Sequence, residues 1–453
     1  MKKDGWTRRD FLRTSTGAAA LGAAAKMELL TPTMLAAAPR AVPPSDRVRF
    51  ASIGTGVRGC EIMRAALACP GTEIVAVCDL YDGRLAGGQE NAGKQLFTSK
   101  DYRAILDRKD VDAVLAAVPD HWHRKIVEDA CAAGKHAYCE KPMSHTVEDG
   151  FAMAEAMQKY NRVVQVGSQA RSSIVYAKAR EIYASGFLGQ VTAIEAWIDR
   201  NDASGAWVYP IPPDASEKTI DWERFLGSAP KRPFDAKRFF RWRCYQDYGE
   251  GLPGDLFVHL LTGIYTITGI NQPPLRAATM GGLFRWTEDR DVPDLVWTLY
   301  EYPNFRVALR CSLNNESPGV TRVFGTKGTL EIKNDVLTAT PQDTEPRPES
   351  YSIYGWPEKL RNEYLAEWRK EHPLPAPGKY PLGESVQTFQ APPYYDYSID
   401  HMNNFMESIR TGRPSVEDAV FGNHTAIACH MANYAYFNNT VAKWDAAAKK
   451  IKG

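Results

Sequence analysis

The run "KHAYCEKP" ends with Glu140, Lys141 and Pro142. A proline after an apolar run stops a strand and holds the residue before it extended. Lys141 is therefore expected at a strand's carboxyl end, where open α/β sheets bind their ligands. A lysine there can carry a proton or polarise an oxygen. A second pair lies in "GDLFVHL", where Asp255 and His259 stand four residues apart and share a face if the segment is helical. The carboxylate can orient the imidazole, and an imidazole suits removal of a hydroxyl proton near neutral pH. The same spacing also fits a plain hydrogen-bonded pair on a helix surface. Metal binding is a third reading, but His121 and His123 are two apart and share no helix face, so no metal ligands are assigned.

"GTGVRG" sets Gly54, Gly56 and Gly59 at GxGxxG spacing, between the apolar run "RVRFASIG" and the helical pattern "VRGCEIMRAALA". The first glycine permits a tight turn, the second lets a pyrophosphate approach the backbone, and the third lets the helix pack on the strand. Free N–H groups at the helix start then face the phosphates. Asp79 closes the next strand, "EIVAVCD", where a carboxylate can bind an adenosine ribose and repel a 2′-phosphate. NAD is expected rather than NADP, with Arg84 the residue that favours the phosphorylated form. "VPDHWH" follows a further strand, with Asp120 able to cap the next helix and His123 at that helix's start, near the cofactor. Trp197, Trp207, Trp222 and Trp242 fall in or beside an aromatic, loop-rich stretch with Tyr209 and Tyr245. Aromatic faces suit the C–H faces of a sugar ring. Arg241, Trp242 and Tyr245 are the substrate candidates.

Strands and helices alternate with short connections up to "VVQVGSQARS", and the strands are apolar on both faces, as in a parallel sheet covered by helices. Ser99 is expected to cap a short helix over "SKDYRAILDRKD". Hairpin patterns over residues 295–332 predict antiparallel strands, residues 335–395 an irregular excursion, and the last segments two closing helices. The fold class expected is α/β: an N-terminal Rossmann dinucleotide-binding domain over 47–168, then an α+β domain with an open, mainly antiparallel sheet over 169–445 for substrate and oligomerisation.

The first 38 residues read as an export signal. Arg8-Arg9 with Phe11-Leu12 matches the twin-arginine pattern, followed by the apolar "GAAALGAAA" and the small residues of "MLAAAPRA". Residues 39–46 form a proline-rich arm. An extracytoplasmic or periplasmic location is expected, reached in the folded state, so that a gripped cofactor travels with the chain. The net charge of +1 gives no reason to expect a nucleic-acid partner. The eight cysteines include no CxxC pair and sit mostly in apolar runs, the pattern of buried thiols.

Together "GTGVRG", Asp79, "VPDHWH", "CEKP", "DLFVH" and "FGNHTAIACHMANYAY" resemble the glucose–fructose oxidoreductase and inositol dehydrogenase (Gfo/Idh/MocA) family, from about Arg47 to Trp444. The resemblance implies that Val57, Arg58, Asp79, Pro119, Asp120, Trp122, His123, Glu140, Lys141 and Gln169 contact or neighbour the cofactor, along with the three glycines. It makes His259 the general base, Lys141 the group that polarises the reacting hydroxyl, and Asp255 the residue that orients both. It implies a tightly held NAD, a sugar or cyclitol substrate, and a homodimer or homotetramer. The activity expected is hydride transfer between a sugar hydroxyl and the bound nicotinamide; the alternative is a redox-neutral, NAD-dependent glycosidase.

Overall fold

The computed structural model describes Pro43 and residues 46–342, 351–373 and 385–453. The export signal and all of the proline-rich arm except Pro43 and Asp46 lie outside the described residues. Six parallel strands form the first sheet: β1 (Val48–Ile53), β2 (Thr72–Cys78), β3 (Phe97–Ser99), β4 (Ala113–Ala116), β5 (His136–Glu140) and β6 (Val164–Gly167). Their order is β3-β2-β1-β4-β5-β6. Alternate side chains serve separate cores. Ala51 and Ile53 point into one helix layer, Val48 and Phe50 into the other, which is why these strands read as apolar throughout. The order reverses between β1 and β4, so the glycine loop after β1 opens at the switch point.

The second sheet has ten strands: β7 (Val191–Asp199), β8 (Arg276–Gly282), β9 (Leu295–Glu301), β10 (Arg306–Ser312), β11 (Val320–Gly325), β12 (Gly328–Lys333), β13 (Val336–Pro341), β14 (Gln387–Gln390), β15 (Val441–Asp445) and β16 (Lys450–Lys452). They run β14-β13-β12-β11-β7-β10-β9-β8-β15-β16, antiparallel except where β7 meets β10. One face packs on helices that include Val258–Thr268 and Ala419–Phe437. The other alternates outward: on β9, Val296 and Tyr300 are buried while Trp297 and Leu299 are exposed. The excursion after residue 335 contains β13, the helix Glu358–Glu371 and β14.

One local expectation is corrected. The short helix Tyr102–Leu106 is capped by Asp101, whose carboxylate accepts from the Arg103 N–H at 3.0 Å, and Ser99 ends β3 instead. All eight cysteines are free thiols, seven buried and Cys60 half-buried.

The chain crosses back late. Helix Tyr397–Thr411 sets Met402, Phe405 and Met406 into the core beneath β1, with the Phe405 ring 6.0 Å from Phe50 and 5.9 Å from Tyr138. The nucleotide-binding half is thus finished by residues far from it in sequence. Phe405→Ala is expected to cost about 3–5 kcal/mol in denaturant unfolding; a loss below about 1 kcal/mol would mean that this helix merely rests on the sheet.

Candidate active site

The loop after β1 is shaped by its glycines. Gly54 has φ +87°, and a Cβ on it would lie 2.2 Å from the Ala117 carbonyl oxygen. A Cβ on Gly59 would lie 2.0 Å from the Gly54 oxygen, so helix Val57–Ala68 seats directly on the loop. Around Gly56 the nearest atoms to such a Cβ are 3.6 Å away, on Arg84, which leaves the backbone open to an incoming group. No side chain caps this helix start and its first turn carries no acid, so its N–H groups remain available to an anion. These features fit the pyrophosphate of a dinucleotide.

A cleft of about 850 Å³ runs from this loop, within the range of ~300–1,000 Å³ usual for small-molecule sites. Gly54, Gly56, Val57, Arg58, Gly59, Asp79, Pro119, Trp122, Glu140 and Lys141 all line it. Asp79 is held by the Thr55 N–H at 2.8 Å and the Tyr81 N–H at 3.1 Å. The Arg84 guanidinium lies 5.2–5.3 Å from the centres of the Phe239 and Phe240 rings.

At the carboxyl end of β5, Arg58 Nε donates to Glu140 Oε1 at 2.9 Å, and the Lys141 N–H donates to Glu140 Oε2 at 3.2 Å. Gln169 does not line the cleft. It is buried, donating to Glu140 Oε1 at 3.1 Å and to the Tyr138 hydroxyl at 2.7 Å, so it fixes Glu140 rather than a ligand. Lys141 Nζ then reaches across to the second domain, donating to Asp255 Oδ1 at 2.9 Å and to the Asp255 carbonyl at 2.7 Å.

Asp255 sits in a π-helical turn, Pro253–Phe257, that runs straight into helix Val258–Thr268. The Val258 N–H reaches the Pro253 carbonyl, an i→i+5 bond. This widened turn breaks the regular four-residue register expected from the sequence. Asp255 is hydrogen-bonded to Lys141 and to Arg243 Nε, at 3.0 Å, and among the described residues no hydrogen bond joins it to His259. Burial opposes its charge, but Lys141 and Arg243 prevail and hold the carboxyl well below the usual range. Burial, reinforced by the charge of Lys141, holds His259 well below the ordinary imidazole value. The result is a neutral base beside a fixed cation.

Four other assignments are corrected. His123 is fully buried, its ring nitrogens 2.8 Å and 3.0 Å from the Pro142 and Val118 carbonyls, so both are taken up in bracing the two strand ends. Asp120 is buried with one oxygen accepting from the Glu250 N–H at 3.0 Å, and burial pushes its carboxyl up. Tyr245 is a core residue at 2% exposure. Arg241 spends its Nε on the Tyr209 carbonyl, at 2.9 Å. Of the substrate candidates, Trp242 alone lines the cleft. Trp207 and Trp222 are also buried in the core.

The residue that sequence reasoning missed is Arg243. It lines the cleft, lies 4.2 Å from the centre of the Trp242 ring and shares Asp255 with Lys141. Tyr209 lines the cleft beside it. Among the described residues no group of three or more His, Cys, Asp or Glu is arranged to hold a metal ion.

A glycine-looped parallel sheet facing an antiparallel one across such a cleft defines a two-domain nucleotide-dependent α/β protein. Residues 48–168 match the family described as "Oxidoreductase family, NAD-binding Rossmann fold" (Gfo/Idh/MocA). A "Glycosyl hydrolase family 109 protein 2" of Shewanella sp. (strain ANA-3) is 34% identical over 174 residues, 35% of this chain and 38% of that protein. An "Inositol 2-dehydrogenase" of Salmonella paratyphi B is 32% identical over 140 residues, 30% of this chain and 42% of that protein. The chain thus matches only about two fifths of the length of these curated relatives. The whole fold resembles a levoglucosan dehydrogenase solved with NADH (TM-score 0.62, 18% identity, 87% of this chain and 98% of that one). It also resembles an aldose–aldose oxidoreductase from Caulobacter crescentus (TM-score 0.61, 19% identity, 88% and 99%).

Because burial and the charge of Lys141 hold His259 well below the ordinary imidazole value, the acidic limb of kcat/KM is expected well below that value. A pH–rate profile checks it, and a limb at or above about pH 6.5 would show that His259 is not the base.

Proposed function

We propose that this protein is an NAD-dependent oxidoreductase acting on a hydroxyl of a sugar or cyclitol, with its nicotinamide nucleotide tightly held. The observation that carries the reading is Lys141, at the end of β5, which lines the cleft that begins at the glycine loop and is bonded to Asp255 of the second domain; Asp255 and His259 do not themselves line the cleft, but His259 is close enough to feel the charges of both Lys141 and Asp255. When bound there, the nicotinamide supplies hydride acceptance and return. The chain supplies the rest. His259 takes the hydroxyl proton as a neutral imidazole. Lys141 donates a hydrogen bond to the reacting oxygen, its Nζ aimed by two contacts to Asp255. Arg243 keeps Asp255 ionised, so that Lys141 stays anchored when the proton moves. Trp242 and Tyr209 offer apolar ring faces to a sugar.

A second reading is a redox-neutral glycosidase, in which the same site oxidises, eliminates, hydrates and reduces its substrate. The family 109 glycosyl hydrolase relative supports it. Incubating purified protein with aryl glycosides, without added nucleotide, separates the two: phenol release marks the glycosidase, and a keto-sugar with no phenol marks the oxidoreductase. In either case Lys141→Ala and His259→Ala are expected to lower kcat about 10²–10⁴-fold, and wild-type rates in both variants would remove these residues from the chemistry.

We further propose export by the twin-arginine route to an extracytoplasmic site, supported by Arg8-Arg9 and Phe11-Leu12, with the nucleotide carried inside the folded chain. Self-association through the open face of the second sheet is supported by Met280, 82% exposed, beside Trp297 and Leu299. Light scattering is expected to give a dimer or tetramer, reduced to monomer by Leu299→Asp with Met280→Asp. A wild-type monomer would contradict this.

A further inference from the structure

The nucleotide cleft has a wall that the Rossmann motif does not supply. Pro212, Arg224 and Phe225 line it from the second domain, opposite the ends of β1 and β2. The segment that carries them is stitched back onto the first domain at several points. Ile220 forms an antiparallel bridge with Tyr81, two residues past Asp79. The Asp221 N–H donates to the Leu80 carbonyl at 2.9 Å, and the Asp82 N–H donates to the Thr219 carbonyl at 3.1 Å. Lys100 Nζ donates to the same Thr219 carbonyl at 3.1 Å. Farther along, Trp122 Nε1 donates to the Phe225 carbonyl at 3.0 Å, and Arg224 pairs with Asp101 at 3.3 Å. The Tyr81 hydroxyl donates to Asp214 Oδ1 at 2.5 Å.

These contacts share a location. They join the segment to residues 80–122, on the side of the cleft where Asp79 faces the adenosine ribose in the reading above. None touches Lys141, Asp255 or His259. Backbone pairing of this kind must be broken, and its groups resolvated, before the cleft can open along that side. The end that handles protons is bounded by different residues, so a substrate can come and go there while the adenosine end stays shut.

We infer that residues 212–226 form a strap closing the adenosine end of the dinucleotide site, latched by Tyr81 to Asp214, and that the opening of this strap sets the rate at which the nucleotide exchanges. The inference rests on the reading of the cleft as an NAD site. It explains how a chain folded in one compartment keeps its nucleotide in another. It also makes Asp214 and Thr219, which have no place in the chemistry, positioning residues for cofactor retention.

The test is a chase. Full-length protein is loaded with radiolabelled NAD, mixed with excess unlabelled NAD, and sampled by gel filtration over time. Asp214→Ala and Tyr81→Phe are each expected to release label about tenfold faster than wild type, the effect of losing one hydrogen bond to a charged group. Tyr81→Phe keeps the ring and its packing on Phe240, so it serves should Asp214→Ala fold poorly. Hydrogen exchange is expected to rise across 212–226 in both variants and to stay at wild-type levels in β4 and β5. Release as slow as wild type in both variants would overturn the strap while leaving the NAD site standing. Protein that takes up neither NAD nor NADP would overturn the site reading, and the strap with it.

Discussion

The carboxylate of Asp255 holds the two halves of the active site together. It accepts from Lys141, at the end of a parallel strand, and from Arg243, in the short 3-10 turn Trp242–Cys244 of the second domain, on the same oxygen. A carboxylate this poorly solvated is costly to bury unless it is paired and hydrogen-bonded, so each cation is needed where it stands. The three residues come from three different segments, and their pairing ties the end of β5 to the second domain. The π-turn that carries Asp255 is part of the same constraint: it presents the carboxylate to Lys141 and Arg243. Loss of the pairing would leave a buried charge exposed to neither water nor partner, and both the lysine and the base would lose their aim.

The second constraint is closure. The nucleotide cleft is bounded by the glycine loop on one side and by residues from 204 to 243 on the other, and the latter segment is tied to the Rossmann half by backbone pairing. The two constraints act at opposite ends of one cleft. At the chemical end, charges are matched and a neutral imidazole is held beside a fixed cation. At the other, ordinary hydrogen bonds hold a wall in place. On the proposed reading, a nucleotide retained at one end and worked on at the other has to be restored within each catalytic cycle.

What could be read from the sequence follows the range of the forces involved. Gly54 and Gly59 were legible because the backbone there tolerates no side chain, a local demand written directly in residue type. Asp79 and Lys141 were legible because they end apolar runs that can only be buried strands. Asp255 and His259 were found by their spacing, but their partnership was misread, since a regular helix was assumed and the π-turn arises from tertiary pairing. Arg241 was chosen where Arg243 lines the cleft and bonds Asp255: a single short turn has no repeating period, so neighbouring arginines look alike. Tyr245 and His123 carried polar groups that suggested function, whereas their surroundings absorb them into the core or between strand ends. The strap was invisible because its contacts, such as Tyr81 to Asp214, join residues 133 apart in sequence.

The most direct test of the account is an absorbance measurement on purified, exhaustively dialysed protein with no nucleotide added. A reactive sugar is expected to raise the near-ultraviolet band of reduced nicotinamide to at most one equivalent per chain, and a keto-sugar acceptor to abolish it. No change without added NAD, with steady turnover once NAD is supplied, would contradict a nucleotide that stays in place throughout the reaction.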